Sequence, residues 1–296
     1  MASAEPFALL RVFPPDMHSS NRVLLAALLL IAAACQREFR ATDYQTNDAL
    51  FKAASEEFAR GRWDNAVAGF EKLTTDLSAR DTLLPRSHWF LARAHIAREE
   101  WVLAATSFSR LSESFPDDTL ADDSALEAAR AYRRMWRKPA LDPTYGESAR
   151  LTYNTLLSLY PTSQHVPAAQ RELAELEEMF AQKNYISGMY YFRRGGFDSG
   201  IIYFKDVVNR WPTSPTARMA QLRLVESYKA IRYKDDAQET CALLRTRFPS
   251  DAEVGTICTG VALPTTAASP ATPAGPPPST TGPPVTTLAP VVPPTA

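Results

Sequence analysis

The sequence predicts an all-α chain built as an array of about five helix pairs. Three observations carry this. From Asp43 to Ser250 apolar residues recur at helical spacing with few strand-like alternations. The same segment repeats itself in register. Four aromatic-Pro pairs then fall at one fixed offset inside the repeats.

Taken in order, the chain opens on residues that precede any fold. Val23 to Ala34 reads VLLAALLLIAAA, twelve apolar residues, where about 20 are needed to span a bilayer. This is the apolar region of a signal peptide, with Arg22 ahead of it and Ala32-Ala33-Ala34-Cys35 behind. The end of the run resembles the lipobox of bacterial lipoproteins, which implies lipidation at Cys35 and a membrane-anchored mature chain outside the cytoplasm. Residues 1–34 are therefore read as the signal segment, with Met17 as the expected start, and 35–44 as a lipidated linker. Gln36, where Asp would mark inner-membrane retention, implies outer-membrane sorting and a periplasmic face.

The folded domain is expected over 45–250. Phe51, Ala54, Phe58, Gly61, Trp63, Ala66, Phe70 and Leu73 shift by 38 onto Trp89, Ala92, Ile96, Glu99, Trp101, Ala104, Phe108 and Leu111. A shift of 134 places them on Tyr185, Gly188, Phe192, Gly195, Phe197, Gly200, Phe204 and Val207. The first three positions share one face of a first helix, Gly61 permits the turn, and the last four form the inner stripe of a second. The small residue at 66 lets the two helices cross closely, and the aromatic four positions later fills the space beside it. Gly-x-aromatic-x-x-small-x-x-x-aromatic resembles the tetratricopeptide repeat, which implies a right-handed superhelical array. Two more repeats are degenerate: Ala125, Ala128 and Tyr132 with Ala149, Tyr153 and Leu156, then Leu222, Val225 and Tyr228 with Ala237, Cys241 and Leu244. Pro116, Pro161, Pro212 and Pro249 each lie eight residues after Phe108, Tyr153, Phe204 and Cys241; each proline closes the second helix, and the aromatic residue before it packs the last turn.

Two irregularities stand out. The third repeat carries about nine extra residues between its helices, including Pro139 and Pro143. From about Pro167 through Arg194 nothing interrupts the helical pattern, so one long helix is expected to run into the fourth repeat. Residues 251–296 are read as a disordered tail, because 11 of the 23 prolines lie in the last 36 residues and no charge follows Glu253. The spacing of Cys241 and Cys258, on a helix and the loop after it, leaves their pairing open.

With 32 Lys+Arg against 33 Asp+Glu the formal charge is −1, so no basic excess points to a nucleic-acid partner. His18, His88, His95 and His165 form no metal-binding motif, and no phosphate loop or nucleophile elbow occurs, so no metal, cofactor or catalytic residue is assigned. One charged constellation does form. Arg130, Arg133, Arg134 and Arg137 follow i, i+3, i+4, i+7 and make a basic stripe on the third repeat's first helix. With Arg86 and Arg93 on the preceding repeat, they are candidates to line the concave side and bind a carboxylate-terminated peptide or an acidic partner, Trp89 forming an apolar floor. Arg86, Trp89, Arg93, Arg133 and Arg137 are the peptide-site candidates.

The lipobox, five repeats, the Asp142-Pro143 insertion and the long helix running into Met189-Tyr190-Tyr191-Phe192-Arg193-Arg194-Gly195 together resemble the BamD family of outer-membrane assembly lipoproteins. The resemblance covers about 35–250. It implies a non-enzymatic scaffold that binds a BamA-type barrel protein and other Bam lipoproteins, and recognises C-terminal signals of unfolded outer-membrane proteins. Where the family often has Arg before the aromatic of the fourth repeat's second helix, this chain has Tyr203. Arg193, Arg194 and Lys205 are the nearby cations that, with Tyr203, stand as partner-contact candidates. An envelope scaffold of the peptidoglycan or Tol system is the alternative reading.

Overall fold

The computed structural model describes residues 38–262; Cys35, the signal segment and the chain from 263 lie outside them. The described residues form α1 (Asn47–Ala59), α2 (Trp63–Asp76), α3 (Leu83–Ala97), α4 (Trp101–Ser114), α5 (Ala121–Met135), α6 (Thr144–Leu159), α7 (Val166–Phe192), α8 (Phe197–Arg210), α9 (Pro215–Ile231), α10 (Lys234–Arg247) and α11 (Ala252–Ile257). A short 3-10 turn at Ala41–Asp43 precedes them, and no strand occurs among the described residues. The chain divides into two compact units between Lys183 and Asn184, inside α7.

Each pair is built as its sequence pattern dictates. The second-helix positions Phe70, Phe108, Tyr153, Phe204 and Cys241 are all fully buried, and so are Ala66, Ala104 and Ala149 four residues earlier. On the first helices Ala54, Ala92, Ala128 and Val225 are equally buried. Small residues at these sites let the helix axes approach, and each large neighbour fills the space that approach leaves. Between the first pair and α3, Phe51, Phe58, Phe70 and Phe90 stack edge-to-face and offset at centroid distances of 5.4–6.0 Å. Phe39 and Tyr44 pack onto the same cluster, so the end of the linker belongs to the fold.

The aromatic-Pro pairs terminate helices as expected. α4, α6, α8 and α10 end at Ser114, Leu159, Arg210 and Arg247, each one residue before Phe115, Tyr160, Trp211 or Phe248. Those four aromatics share one backbone conformation, φ −123° to −133° and ψ 57° to 64°, and each donates its N–H to the carbonyl four residues back. The following proline cannot donate and forces its predecessor out of the helical region.

The insertion in the third pair is ordered around one side chain. Trp136 caps α5, is 2% exposed, and lies 4.5 Å ring to ring from Phe180. Its Nε1 donates to the Leu141 carbonyl at 3.4 Å, and Lys183 Nζ donates to the same oxygen at 2.9 Å. Gly146 of α6 is the close-approach point: a Cβ there would lie 2.2 Å from the indole ring. The uninterrupted pattern after Pro167 forms the 27-residue α7.

The C-terminal end differs from the sequence reading, which places residues from 251 onward in a disordered tail. The fold continues through α11 to the region of Val261, because Val254, Cys258, Ile257 and Val261 pack onto Leu222, Val225, Cys241 and Leu244. Cys241 and Cys258 form a disulfide with Cα atoms 5.7 Å apart. The Pro-rich composition beyond 263 dominates the last stretch of sequence and masks this final apolar cluster.

Candidate functional site: an arginine-lined cavity on the third repeat

Arg130, Arg133 and Arg134 share one face of α5, but Arg137 does not continue it. The helix ends at Met135, and Trp136 turns inward to its buried seat, which carries Arg137 off the helical register. The expected four-residue stripe is thus corrected to three residues on the helix and one beyond it.

The stripe meets the acidic face of α7. Arg130 donates from Nε and Nη2 to the Glu172 carboxylate at 3.0 and 2.6 Å, and from Nη1 to Glu127 at 2.8 Å. The Tyr153 hydroxyl donates to Glu172 at 2.8 Å, and Arg133 Nη2 donates to Glu175 at 2.7 Å. Burial opposes the Glu172 charge, but hydrogen bonds from Arg130 and Tyr153 outweigh it and hold the carboxyl below its ordinary value. Burial, and then the bond to Glu172, pushes the Tyr153 phenol up. Glu172 therefore stays charged and clamps Arg130, which makes that arginine a structural residue. Arg133 is less committed, since Glu175 is 55% exposed and an exposed ion pair contributes about 0–1 kcal/mol.

What remains is a cavity of about 630 Å³ lined by Arg130, Arg133, Arg134, Arg137 and Arg171 against Glu172 and Glu175, with Trp136 and Met179 at its wall. Arg134 lies over the Trp101 ring, its Cζ 5.3 Å from the centroid. Arg137 and Arg171 are exposed and make no ion pair or side-chain hydrogen bond among the described residues. Guanidinium forks left without an acid beside an apolar wall suit a carboxylate that carries an apolar neighbour. Arg171 escapes a reading of the sequence because it lies 34 residues from Arg137 and only the packing of α7 on α5 brings them to one cavity.

The other candidates are placed differently. Of the five peptide-site residues only Arg133 and Arg137 line this cavity. Arg86 lies over Phe51 at 5.6 Å and Arg93 over Trp89 at 5.8 Å, while the half-buried Trp89 packs edge-to-face on Phe108. Trp89 is accordingly part of the α3–α4–α5 core cluster with Ala92, Phe108 and Ala128. In the second unit Tyr203 stacks on Tyr191 at 5.6 Å, and Arg194 covers Tyr190 at 3.8 Å from the ring centre. Arg193 is exposed in the turn after α7, and Lys205 lies 3.9 Å from Asp236 and over the Tyr228 ring. With Ile186, Tyr190 and Ile202 exposed nearby on α7 and α8, this is an aromatic and basic surface.

The histidines also resolve. His165 Nε2 lies 2.6 Å from Asp123, and Asp122 accepts from the Ser163 hydroxyl at 2.6 Å, so the start of α5 is tied to the start of α7. His95 is buried with Nδ1 2.7 Å from Glu100.

The family described as outer membrane lipoprotein, YfiO, matches residues 43–243. The chain belongs to this family. An outer membrane protein assembly factor BamD of Caulobacter vibrioides is 23% identical over 208 residues, covering 68% of this chain and 66% of that protein. The BamD of Xylella fastidiosa is 24% identical over 242 residues, covering 77% of this chain and 81% of that one. Among solved structures, a TPR repeats protein of Bacteroides fragilis is 11% identical over 72% of this chain and 96% of that chain, with a TM-score of 0.43. The chain spans just under two thirds of the Caulobacter relative's length. The residues that match the YfiO family run from the 3-10 turn into α10. No helix among the described residues is long and apolar enough to cross a membrane.

Proposed function

We propose that this protein is an assembly factor for outer-membrane β-barrel proteins. It acts as a non-enzymatic scaffold held at the periplasmic face of the outer membrane by lipid on Cys35. Membership of the YfiO family and the BamD relatives support the role. The observation that carries the mechanism is the α5–α7 cavity, where Arg137 and Arg171 face solvent unpaired beside Trp136 and Met179. There the chain binds the C-terminal carboxylate of an unfolded barrel protein, the terminal side chain resting on the apolar wall. Arg193, Arg194, Tyr203 and Lys205 form the surface that contacts a BamA-type barrel subunit, with stacked tyrosines in place of a guanidinium.

The test uses a barrel C-terminal peptide with a free carboxylate and the same peptide amidated. Arg137→Glu with Arg171→Glu is expected to weaken the free-acid peptide about tenfold or more at low salt, with a smaller difference at high salt. The amidated peptide binds weakly to either protein. Both side chains are exposed, so the fold is retained. Equal affinity of acid and amide, or of both proteins for the acid, removes the cavity from the mechanism. Recovery of peptidoglycan-associated or Tol partners in place of a BamA-type subunit from solubilised membranes would select the alternative envelope scaffold.

A further inference from the structure

Every helix pair after the first is entered by the same turn. Asp81, Asp118, Ser163 and Ser214 each accept, through a side-chain oxygen, the backbone N–H two residues on, at 2.9–3.0 Å. Their own N–H groups donate to the carbonyl three residues back, at 3.0 Å each: Ser78, Phe115, Tyr160 and Trp211. α3, α5, α7 and α9, the first helices of the next pairs, come directly after these turns. Asp251 makes the same turn a fifth time, accepting from Glu253 N at 3.0 Å and donating to Phe248 O at 3.2 Å. This fifth turn leads into α11, only six residues long.

α11 thus stands where the first helix of a sixth repeat begins, and it does what a first helix does. It lays Val254, Cys258, Ile257 and Val261 onto Leu222, Val225 and Leu244 of α9 and α10. Less than two turns of helix do not persist alone in water, since nucleation is unfavourable and few bonds follow it. Its ends are held by charged side chains: Arg218 donates to Asp251 and Glu253 at 2.7 and 3.0 Å, Lys229 to the Ile257 carbonyl at 2.9 Å, and Arg245 to the Cys258 carbonyl at 2.7 Å. The covalent hold is the Cys241–Cys258 bond, with both cysteines fully buried.

We propose that α11 is the severed first helix of a sixth repeat, seated as a plug in the helix-accepting groove of α9 and α10, and that the Cys241–Cys258 disulfide is its latch. The plug is closed when the cysteines are paired and opens when they are free thiols. On closing, the two thiols lose two protons and two electrons to a disulfide-bearing oxidant, the intramolecular S–S bond forms, and the oxidant leaves as a dithiol. A dithiol reductant reverses the step. Because both cysteines are fully buried, the reductant reaches the bond only when α11 lifts, so opening is slow while closure in an oxidising compartment is lasting.

Hydrogen exchange read by mass spectrometry on the full chain tests this. In the oxidised protein the amides of residues 254–261 are expected to be protected. After dithiol treatment with trapping of the free thiols, and in Cys241→Ser/Cys258→Ser, they exchange roughly 100-fold faster, the scale set by releasing a loop of this length. α1 to α6 stay unchanged, and α9 remains better protected than residues 254–261. Rates at 254–261 within threefold of the oxidised protein would show that no latch exists. If residues 254–261 and α8 to α10 exchange together at one common rate, the plug is overturned as well, because the bond then holds the whole unit. If the serine variant does not fold, the reduced wild-type chain decides alone.

Discussion

His88 and His95 look equivalent in the sequence, seven residues apart on one face of α3, yet the fold treats them differently. His95 finds Glu100, whereas His88 sits beside Leu84, Leu91, Arg110 and Phe115, its Nδ1 buried without a hydrogen-bond partner. Burial, with the Arg110 charge as second cause, pulls the His88 pKa from 6.5 down to about 4. The fold accepts the neutral ring, so the contribution is complete above pH 6.5. It is lost as pH falls toward 4, because the unfolded chain takes up a proton that the folded one refuses. After discounting for partial exposure the loss is of order 2 kcal/mol. Urea midpoints at pH 7 and pH 4.5 check it: His88→Gln should lose less stability between the two than the wild type. Identical pH slopes would mean that the imidazole protonates without cost.

At the scale of the element, the helix-turn-helix unit is where sequence and structure agree most closely. Gly61 and Gly195 have φ of +72° and +77° and close the turns after α1 and α7. Glu99, the one residue that breaks the repeat pattern, adopts φ +59° in the matching turn after α3, and Arg232 adopts +65° after α9. All four turns make the same bond, from the N–H of the next residue to the carbonyl five back: Arg62 to Glu57, Glu100 to His95, Gly196 to Tyr191 and Tyr233 to Tyr228, at 2.8–3.0 Å. A side chain in the left-handed region costs about 1–2 kcal/mol, and glycine returns part of that as unfolded-state entropy. Glu99→Gly is therefore expected to stabilise the protein by about 0.5–1 kcal/mol net, visible as a higher melting temperature. An unchanged or lower value would show that Glu99 gains something in that turn that glycine lacks. Such turns are legible because their residue types recur at fixed offsets, as are the buried stripe and the aromatic-Pro ends. The Arg130–Glu172–Tyr153 network is not, since its members lie 19 and 42 residues apart and meet only through helix packing. The seat of Trp136 is hidden for the same reason. The turn at Asp251 is legible in principle: Asp or Ser two residues after each repeat-ending proline is the entry signal, and Phe248-Pro249-Ser250-Asp251 carries it.

At the scale of the whole molecule, stability is a sum over neighbouring pairs, and the division inside α7 splits that sum into two parts. The tryptophans report on the parts separately: Trp63, Trp89, Trp101 and Trp136 lie in the first unit and Trp211 in the second. Only the second holds a disulfide among the described residues. Its 17-residue separation corresponds to about 3 kcal/mol of loop-closure entropy, and a urea dependence of about 1–3 kcal/mol/M converts that to a midpoint lowered by roughly 1–3 M. In 5-fluorotryptophan-labelled protein titrated with urea, reduction is expected to move the Trp211 fluorine resonance to its unfolded position at lower urea. The other four should keep their midpoints. If all five shift together, the two units unfold as one and the division inside α7 has no energetic counterpart. If none shifts, the bond constrains an unfolded state that is already compact, and the second unit owes its stability to its buried apolar side chains.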